Sequence, residues 1–178
     1  MSIYLKQSVD LKYYKMDKVL SSLNLTNDDM IGVQISLLLF VPYLLGHFLF
    51  PKLTFQFGSL VLACCGGLTV GFSLNSHSSF EEKIADCIFS VVIMLLALSA
   101  LHNNSKKPMM VGYILHGTWD ILHHHWTGHL HVAWDIKTTT PLWYPLSCFT
   151  YDFLVAAMYM VTSYPSSGGN TAQKKKTR

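Results

Sequence analysis

The sequence predicts an all-α bundle of transmembrane helices, with about five crossings in one domain. The 178-residue chain is 51% apolar and 13% charged, and its mean hydropathy is +0.31. This composition is too apolar and too low in charge for an ordinary soluble domain. The apolar residues collect in runs of about 20, which is enough for a helix to span a hydrocarbon core roughly 30 Å thick. Strand-like alternation, which a membrane barrel requires, is missing from these runs.

The predicted crossings follow one another with short polar connections. A polar segment, residues 1–30, comes first and lacks the apolar core of a cleaved signal peptide. The crossings that the apolar runs predict are residues 31–50, 55–74, 84–101, 109–126 and 143–163. In the second crossing, Gly67 and Gly71 form a GxxxG pattern beside Ala63, Cys64 and Gly66, and this run of small residues favours close packing against another helix. Residues 164–178 are rich in Ser, Gly and Lys, and we expect them to be disordered.

Charge and cysteine content restrict the partners. The net charge of +3 comes from residues at the chain ends and in short connections. Because they form no basic stripe, a nucleic-acid partner is not indicated, and membrane lipid is the expected partner. All four cysteines lie in or beside apolar runs, which favours free thiols over a disulfide framework. They are Cys64, Cys65, Cys87 and Cys148.

The basic tail bears on location. Its residues Lys175-Lys176-Thr177-Arg178 resemble the dilysine signal that returns membrane proteins to the endoplasmic reticulum. A basic tail that only attracts anionic headgroups on the cytosolic leaflet is an equal alternative. Both interpretations place the C terminus in the cytosol. The lysines and arginine divide almost evenly between the two sides of a five-crossing bundle, so they do not decide the orientation.

The fourth crossing contains a cluster of ionisable residues. Residues 113–130 read YILHGTWDILHHHWTGHL, and an ionisable group inside a crossing indicates function. On a helix that turns about 100° per residue, four of these side chains share one face within an arc of about 100°. They are His116, Asp120, His123 and His124.

The fifth crossing carries an aspartate of its own. Asp152 lies near its middle, at a depth similar to that of His116 and Asp120. A carboxylate inside the membrane usually has a partner. We therefore predict that the fourth and fifth helices touch at this depth.

Three hypotheses account for these residues. In the first, zinc or iron is bound by a set of ligands from the fourth crossing. That set is His116, Asp120, His123 and His124, with Asp152 as an alternative to His124. In the second, His116, Asp120 and Asp152 act without a metal as general acid and base on a lipid-soluble substrate. In the third, the polar groups only pair the helices, and the histidines beyond Asp120 contact headgroups.

Two other polar residues have simpler interpretations. His47 lies near the end of the first crossing, where a headgroup contact is expected. Asp86 lies at the start of the third helix, where a carboxylate interacts favourably with the helix dipole. Neither is predicted to belong to a site.

The cluster resembles a sequence motif of one membrane protein family. His116-Gly117, Trp119-Asp120 and His123-His124 match an HGxWDxxHH motif, and further matches follow in the fifth crossing. These are Trp143-Tyr144-Pro145, Cys148 and Asp152. Over residues 112–161 the chain resembles a small family of multi-pass integral membrane proteins that has no assigned reaction. The resemblance implies the same bundle and no particular chemistry.

Two better-known groups were compared with the chain. Membrane fatty acid hydroxylases and desaturases need several separate histidine boxes, whereas this chain has one. The small sterol isomerases and the sigma-2 receptor form a group that is similar in length, location and lysine-rich tail, with an acidic and histidine pair inside the bundle. The motifs of that group do not occur in order here, so it supports the acid–base hypothesis by analogy only.

The sequence thus favours an endoplasmic-reticulum membrane enzyme that acts on a lipid or sterol-like substrate through His116, Asp120 and Asp152. The alternative is a non-catalytic protein for binding, transport or assembly, whose polar residues pair helices. Transport is the weakest of these, because five short crossings without an internal repeat give one chain little room for alternating access. A homo-oligomer would provide that room.

Overall fold

A computed structural model describes residues 27–75, 80–122 and 143–162, and these residues form an all-α bundle. No strand occurs among them. The five helices are α1 (Asn27–Leu49), α2 (Pro51–Asn75), α3 (Phe80–Asn103), α4 (Lys106–Asp120) and α5 (Tyr144–Val161). The predicted fold class is confirmed. The predicted disordered tail, residues 164–178, lies outside the described residues.

Three helices are long and apolar enough to cross a membrane, which indicates an integral membrane protein. They are α1, residues Pro51–Leu74 of α2 and residues Lys83–Asn103 of α3. The 15 residues of α4 and the 18 residues of α5 extend about 22 Å and about 27 Å at 1.5 Å per residue. The prediction that these two helices also cross the membrane stays a prediction.

The helix ends differ from the predicted ones because polar residues continue the helices beyond the apolar runs. The helix α1 begins at Asn27, with Asp28 and Asp29 in its first turn, so residues 27–30 do not belong to a separate polar segment. Two carboxylates at this end stabilise a helix through its dipole. The α-helix α4 ends at Asp120, and the next two residues are π-helical. Residues 123–126 of the predicted fourth crossing lie outside the described part.

The helices pack in chain order around a shared core. The most extensive contacts join α2 to α3, α4 to α5 and α1 to α5, and smaller ones join α3 to α4, α1 to α2 and α2 to α4. Three buried tyrosines occupy the core between these helices. The hydroxyls of Tyr43 and Tyr159 are 3.2 Å apart, and the Tyr113 hydroxyl donates to the carbonyl oxygen of Gly58 at 2.7 Å. These hydrogen bonds connect α1 to α5 and α2 to α4.

The close approach of α2 to α3 involves Gly66, one of the small residues of the predicted packing run. A Cβ atom added at Gly66 would lie 3.0 Å from the carbonyl oxygen of Ser90 on α3. At Gly67 and Gly71 an added Cβ would have no neighbour within 4 Å in the described part of the chain. The helix contact observed there is therefore made by Gly66 and not by the GxxxG pair itself.

The helices α1 and α2 meet at a sharp corner and then separate. Pro51 begins α2 one residue after Phe50, next to the end of α1. Near the corner the two helices are in contact, since the Tyr43 hydroxyl donates to the carbonyl oxygen of Thr54 at 3.3 Å. From Phe50 at this corner to Ile35 and Cys65 farther away, side chains of both helices line a cavity between them.

Candidate functional site

His116 lies between two carboxylates in the middle of the bundle. Its Nδ1 atom is 2.7 Å from Oδ2 of Asp152 on α5 and 3.8 Å from Oδ2 of Asp120 on its own helix. The three side chains are 0%, 1% and 1% exposed, respectively, for His116, Asp120 and Asp152. The predicted contact of the fourth and fifth helices at this depth is confirmed. The roles assigned to these residues stay predictions.

The residue after His116 is a glycine because α5 approaches α4 closely there. A Cβ atom added at Gly117 would lie 3.1 Å from Cβ of Asp152 and 3.2 Å from Cα of Phe149. Contacts this short leave little space for a side chain. The His116-Gly117 pair thus supplies both the imidazole and the space in which Asp152 reaches it.

The far side of the His116 ring contacts α2. Its Nε2 atom is 3.5 Å from Oγ1 of Thr69, and the backbone of Cys65 also hydrogen-bonds the ring. The Thr69 hydroxyl in turn donates to the Cys65 carbonyl oxygen at 3.2 Å. The ring is therefore held by α2, α4 and α5 together, and such support on both nitrogens fixes its orientation.

Asp120 carries a hydrogen-bonding capacity that its described neighbours do not use fully. Cys148 of α5 lies within hydrogen-bonding reach of this carboxylate. The Oδ2 atom of Asp120 is buried and has no hydrogen-bond partner within residues 27–75, 80–122 and 143–162. Two carboxylates thus share one imidazole at buried positions. Such a site needs protons or a bound cation to limit its net charge, because buried charge is costly when it is uncompensated.

A cavity of about 850 Å³ lies between α1, α2 and α5. Its size falls in the range of roughly 300–1,000 Å³ that is typical of sites for small molecules. Most of its wall is apolar, and residues from all three helices contribute to it. They include Leu39, Tyr43, Phe57, Cys65, Cys148 and Asp152. Asp152 is the carboxylate among the described lining residues, which include no lysine, arginine or histidine.

The cavity wall nearest the surface consists of exposed apolar side chains from α1 and α2. Leu39 is 55% exposed, Phe57 is 54% exposed and Leu53 is 64% exposed. Because α1 and α2 are long and apolar enough to cross a membrane, this wall lies in the part of the bundle that lipid would surround. Asp152 lies at the opposite, buried side of the cavity, next to His116.

The described residues include only some of the ligands that the metal hypothesis requires. His123 and His124, two of its four ligands, lie outside them. Within residues 27–75, 80–122 and 143–162, no group of three His, Cys, Asp or Glu side chains has a geometry that could hold a metal. The zinc or iron site therefore stays a prediction.

Sequence reasoning missed the environments of Asp86 and His47. Asp86 is 1% exposed and accepts a hydrogen bond from Nε1 of Trp119 at 3.0 Å. A favourable interaction with the helix dipole therefore explains only part of the environment of this carboxylate. His47 is 5% exposed, and its ring centroid lies 5.1 Å from that of Tyr159 in an edge-on contact. The predicted headgroup contact is therefore wrong. The partners of these two residues, Trp119 and Tyr159, are far away from them in the sequence. Helix periodicity identifies the face of a helix and cannot identify such distant partners.

Comparisons with known proteins found no match among family models, curated proteins or solved structures.

Proposed function

We propose that this protein is a membrane enzyme that transfers a proton on a lipid-soluble substrate held in the cavity. The observation that supports it is the position of Asp152, a buried carboxylate on the wall of an apolar cavity. General acid–base catalysis needs a titratable group within reach of the substrate and a partner that adjusts its proton affinity. Asp152 is the first of these groups, and His116 is the second.

The three residues take different roles in this proposal. Asp152 is the catalytic residue, because it lines the cavity and contacts a bound substrate. His116 is a positioning residue that donates from Nδ1 to Oδ2 of Asp152 and shares its proton. Asp120, 3.8 Å from the same nitrogen, stabilises the protonated imidazole that forms when His116 takes up a proton.

Location in the endoplasmic reticulum, with the C terminus in the cytosol, is part of the proposal. It is supported by the resemblance of Lys175-Lys176 to a dilysine retrieval signal. Replacing both lysines with alanine is expected to move the protein to later compartments of the secretory pathway. Unchanged location of that variant would contradict this part of the proposal and leave the chemistry untouched.

The experiment compares the lipids of cells that produce the wild-type protein, Asp152→Asn or His116→Gln. Untargeted mass spectrometry of membrane extracts is expected to show a lipid pair, substrate and product, whose ratio changes with the wild-type protein and not with Asp152→Asn. The asparagine variant keeps the size of the side chain and removes its ability to take up a proton.

Glu81→Gln provides the matched control, because Glu81 is an exposed carboxylate at the start of α3, away from the cavity. It is expected to behave like the wild type. Identical lipid profiles for the wild-type protein and a folded Asp152→Asn variant would contradict the proposal. That outcome would favour the non-catalytic alternative, in which the polar residues only pair helices.

A further inference from the structure

We infer that the cavity binds an amphiphile with a protonated amine, whose ammonium group pairs with Asp152 and whose hydrocarbon part lies between α1 and α2. The inference rests on the proposed function only in that the same cavity holds the substrate, and it names the chemical class of that substrate. Three features of the site carry it: charge, hydrogen bonding and the shape of the apolar wall.

The charge of the site favours a cation. Asp152 and Asp120 provide two carboxylates, and His116 is the one basic group near them among the described residues. The cavity lining adds no described lysine, arginine or histidine. A protonated imidazole compensates only one of the two carboxylate charges, and the second is compensated either by a proton or by a cation. A cationic head group beside Asp152 provides this compensation from the cavity side.

Hydrogen bonding also favours a donor over an acceptor. The bond from His116 uses Oδ2 of Asp152, and no described residue donates to Oδ1. Oδ2 of Asp120 likewise has no hydrogen-bond partner in the described part of the chain. Among the hydroxyls that line the cavity, Tyr43 donates to the Thr54 carbonyl oxygen, and Ser147 pairs with Ser36. An ammonium group can donate to Asp152, whereas a carboxylate or phosphate would add further acceptors beside it.

Aromatic rings add to this preference. Tyr144, Tyr151 and Trp143 line the cavity on the same helix segment as Asp152 or just before it. Aromatic faces attract cations, and they do so more strongly where water is excluded. A cavity lined by one carboxylate and several aromatic rings therefore suits an ammonium group.

The rest of the ligand must be apolar. From Asp152 the cavity extends between α1 and α2 to Leu39 and Phe57, which are 55% and 54% exposed. In a membrane this opening faces lipid chains. A hydrocarbon tail fits this path because it makes the same contacts with the opening that lipid makes. Entry from the bilayer between α1 and α2 follows from the same geometry.

The test measures thermal unfolding of the full-length protein in lipid nanodiscs with three amphiphiles that share one tail. The probes are dodecylamine, dodecanol and dodecanoate, each below its micelle-forming concentration. Dodecylamine is expected to raise the Tm of the wild-type protein most and to bind roughly tenfold or more tightly than dodecanol, because a charge-assisted pair adds to the shared tail contacts. Dodecanoate is expected to produce the smallest shift.

The variant Asp152→Asn is expected to lose the advantage of dodecylamine over dodecanol, while Glu81→Gln keeps it. Equal or tighter binding of dodecanol or dodecanoate by the wild type would overturn the inference, and this comparison needs no variant to fold. Full retention of the amine preference in Asp152→Asn would also overturn it. Amine binding without lipid conversion would contradict the proposed enzyme activity and leave this inference intact. Conversion of a neutral lipid without a preference for amines would contradict this inference and leave the proposed enzyme activity intact.

Discussion

The hydrogen bond between His116 and Asp152 predicts a large coupling energy in the folded protein. The Nδ1–Oδ2 distance is 2.7 Å and both side chains are at most 1% exposed. This length is typical of charge-assisted hydrogen bonds. Hydrogen bonds to charged groups contribute about 1.5–3 kcal/mol, whereas polar contacts between membrane helices average about 0.6 kcal/mol. We therefore expect a coupling of about 1.5–3 kcal/mol from a double-mutant cycle.

The assay compares the free energies of unfolding of four proteins in mixed micelles titrated with a denaturing detergent. These are the wild type, His116→Ala, Asp152→Ala and the double variant. A second cycle between Ser36 and Ser147 serves as the matched control, since their hydroxyls are 2.9 Å apart at a neutral contact of α1 with α5. Its coupling is expected near the membrane average of about 0.6 kcal/mol.

A His116–Asp152 coupling no larger than that of the serine pair would refute the reasoning. In that case the two side chains do not form a charge-assisted bond in the folded protein. The losses of unfolding free energy in the two single variants are expected to add up to more than the loss in the double variant. Each single variant leaves one buried polar group without its partner, whereas the double variant removes both groups.

Three further predictions follow from the helix contacts. Gly66→Ala is expected to destabilise the protein by about 1–3 kcal/mol, because its Cβ meets the α3 backbone. Gly67→Ala, which has open space around it, should be neutral or stabilising by up to about 1 kcal/mol. Equal unfolding free energies for the two variants would contradict this prediction. Trp119→Phe removes a donor from the buried Asp86 and should cost about 1–3 kcal/mol in the same titration, and an unchanged unfolding free energy would show that the bond contributes nothing. Gly117→Ala displaces Asp152 and should reduce lipid conversion or amine binding, measured as above, so wild-type values would refute the close approach.

The fold could be predicted from the sequence because the apolar runs are long and the connections are polar. Each predicted crossing coincides with one observed helix, and the differences are confined to the ends. The clearest difference is at α4, which begins at Lys106 and loses α-helical geometry after Asp120. Hydropathy indicates which residues tolerate lipid, and it does not report where helical hydrogen bonds begin and end. Those bonds can continue into polar residues or stop before the apolar run ends, so the helix ends differ from the predicted ones.

The centre of the candidate site could be predicted because intramembrane charge is rare. Equal depth in two neighbouring predicted crossings was enough to pair His116 with Asp152, and the structure confirms that contact. The cavity could not be predicted, since it depends on how α1 and α2 separate after the corner at Pro51. Long-range partners such as Trp119 for Asp86 were also beyond reach, because a single sequence gives the face of a helix and not the helix that it meets.

The central claim is that Asp152 transfers a proton to or from a lipid-soluble molecule in the cavity. The most direct test incubates purified protein in D₂O with liposomes made from the lipid extract of its host cells and follows each lipid by mass spectrometry. Isomerisation at carbon incorporates deuterium, and other reactions change the mass of the lipid. We expect conversion or labelling of a lipid by the wild type and by Glu81→Gln, with a rate at least about tenfold lower for Asp152→Asn. Equal rates for the wild type and Asp152→Asn, or no change in any lipid with either protein, would contradict it.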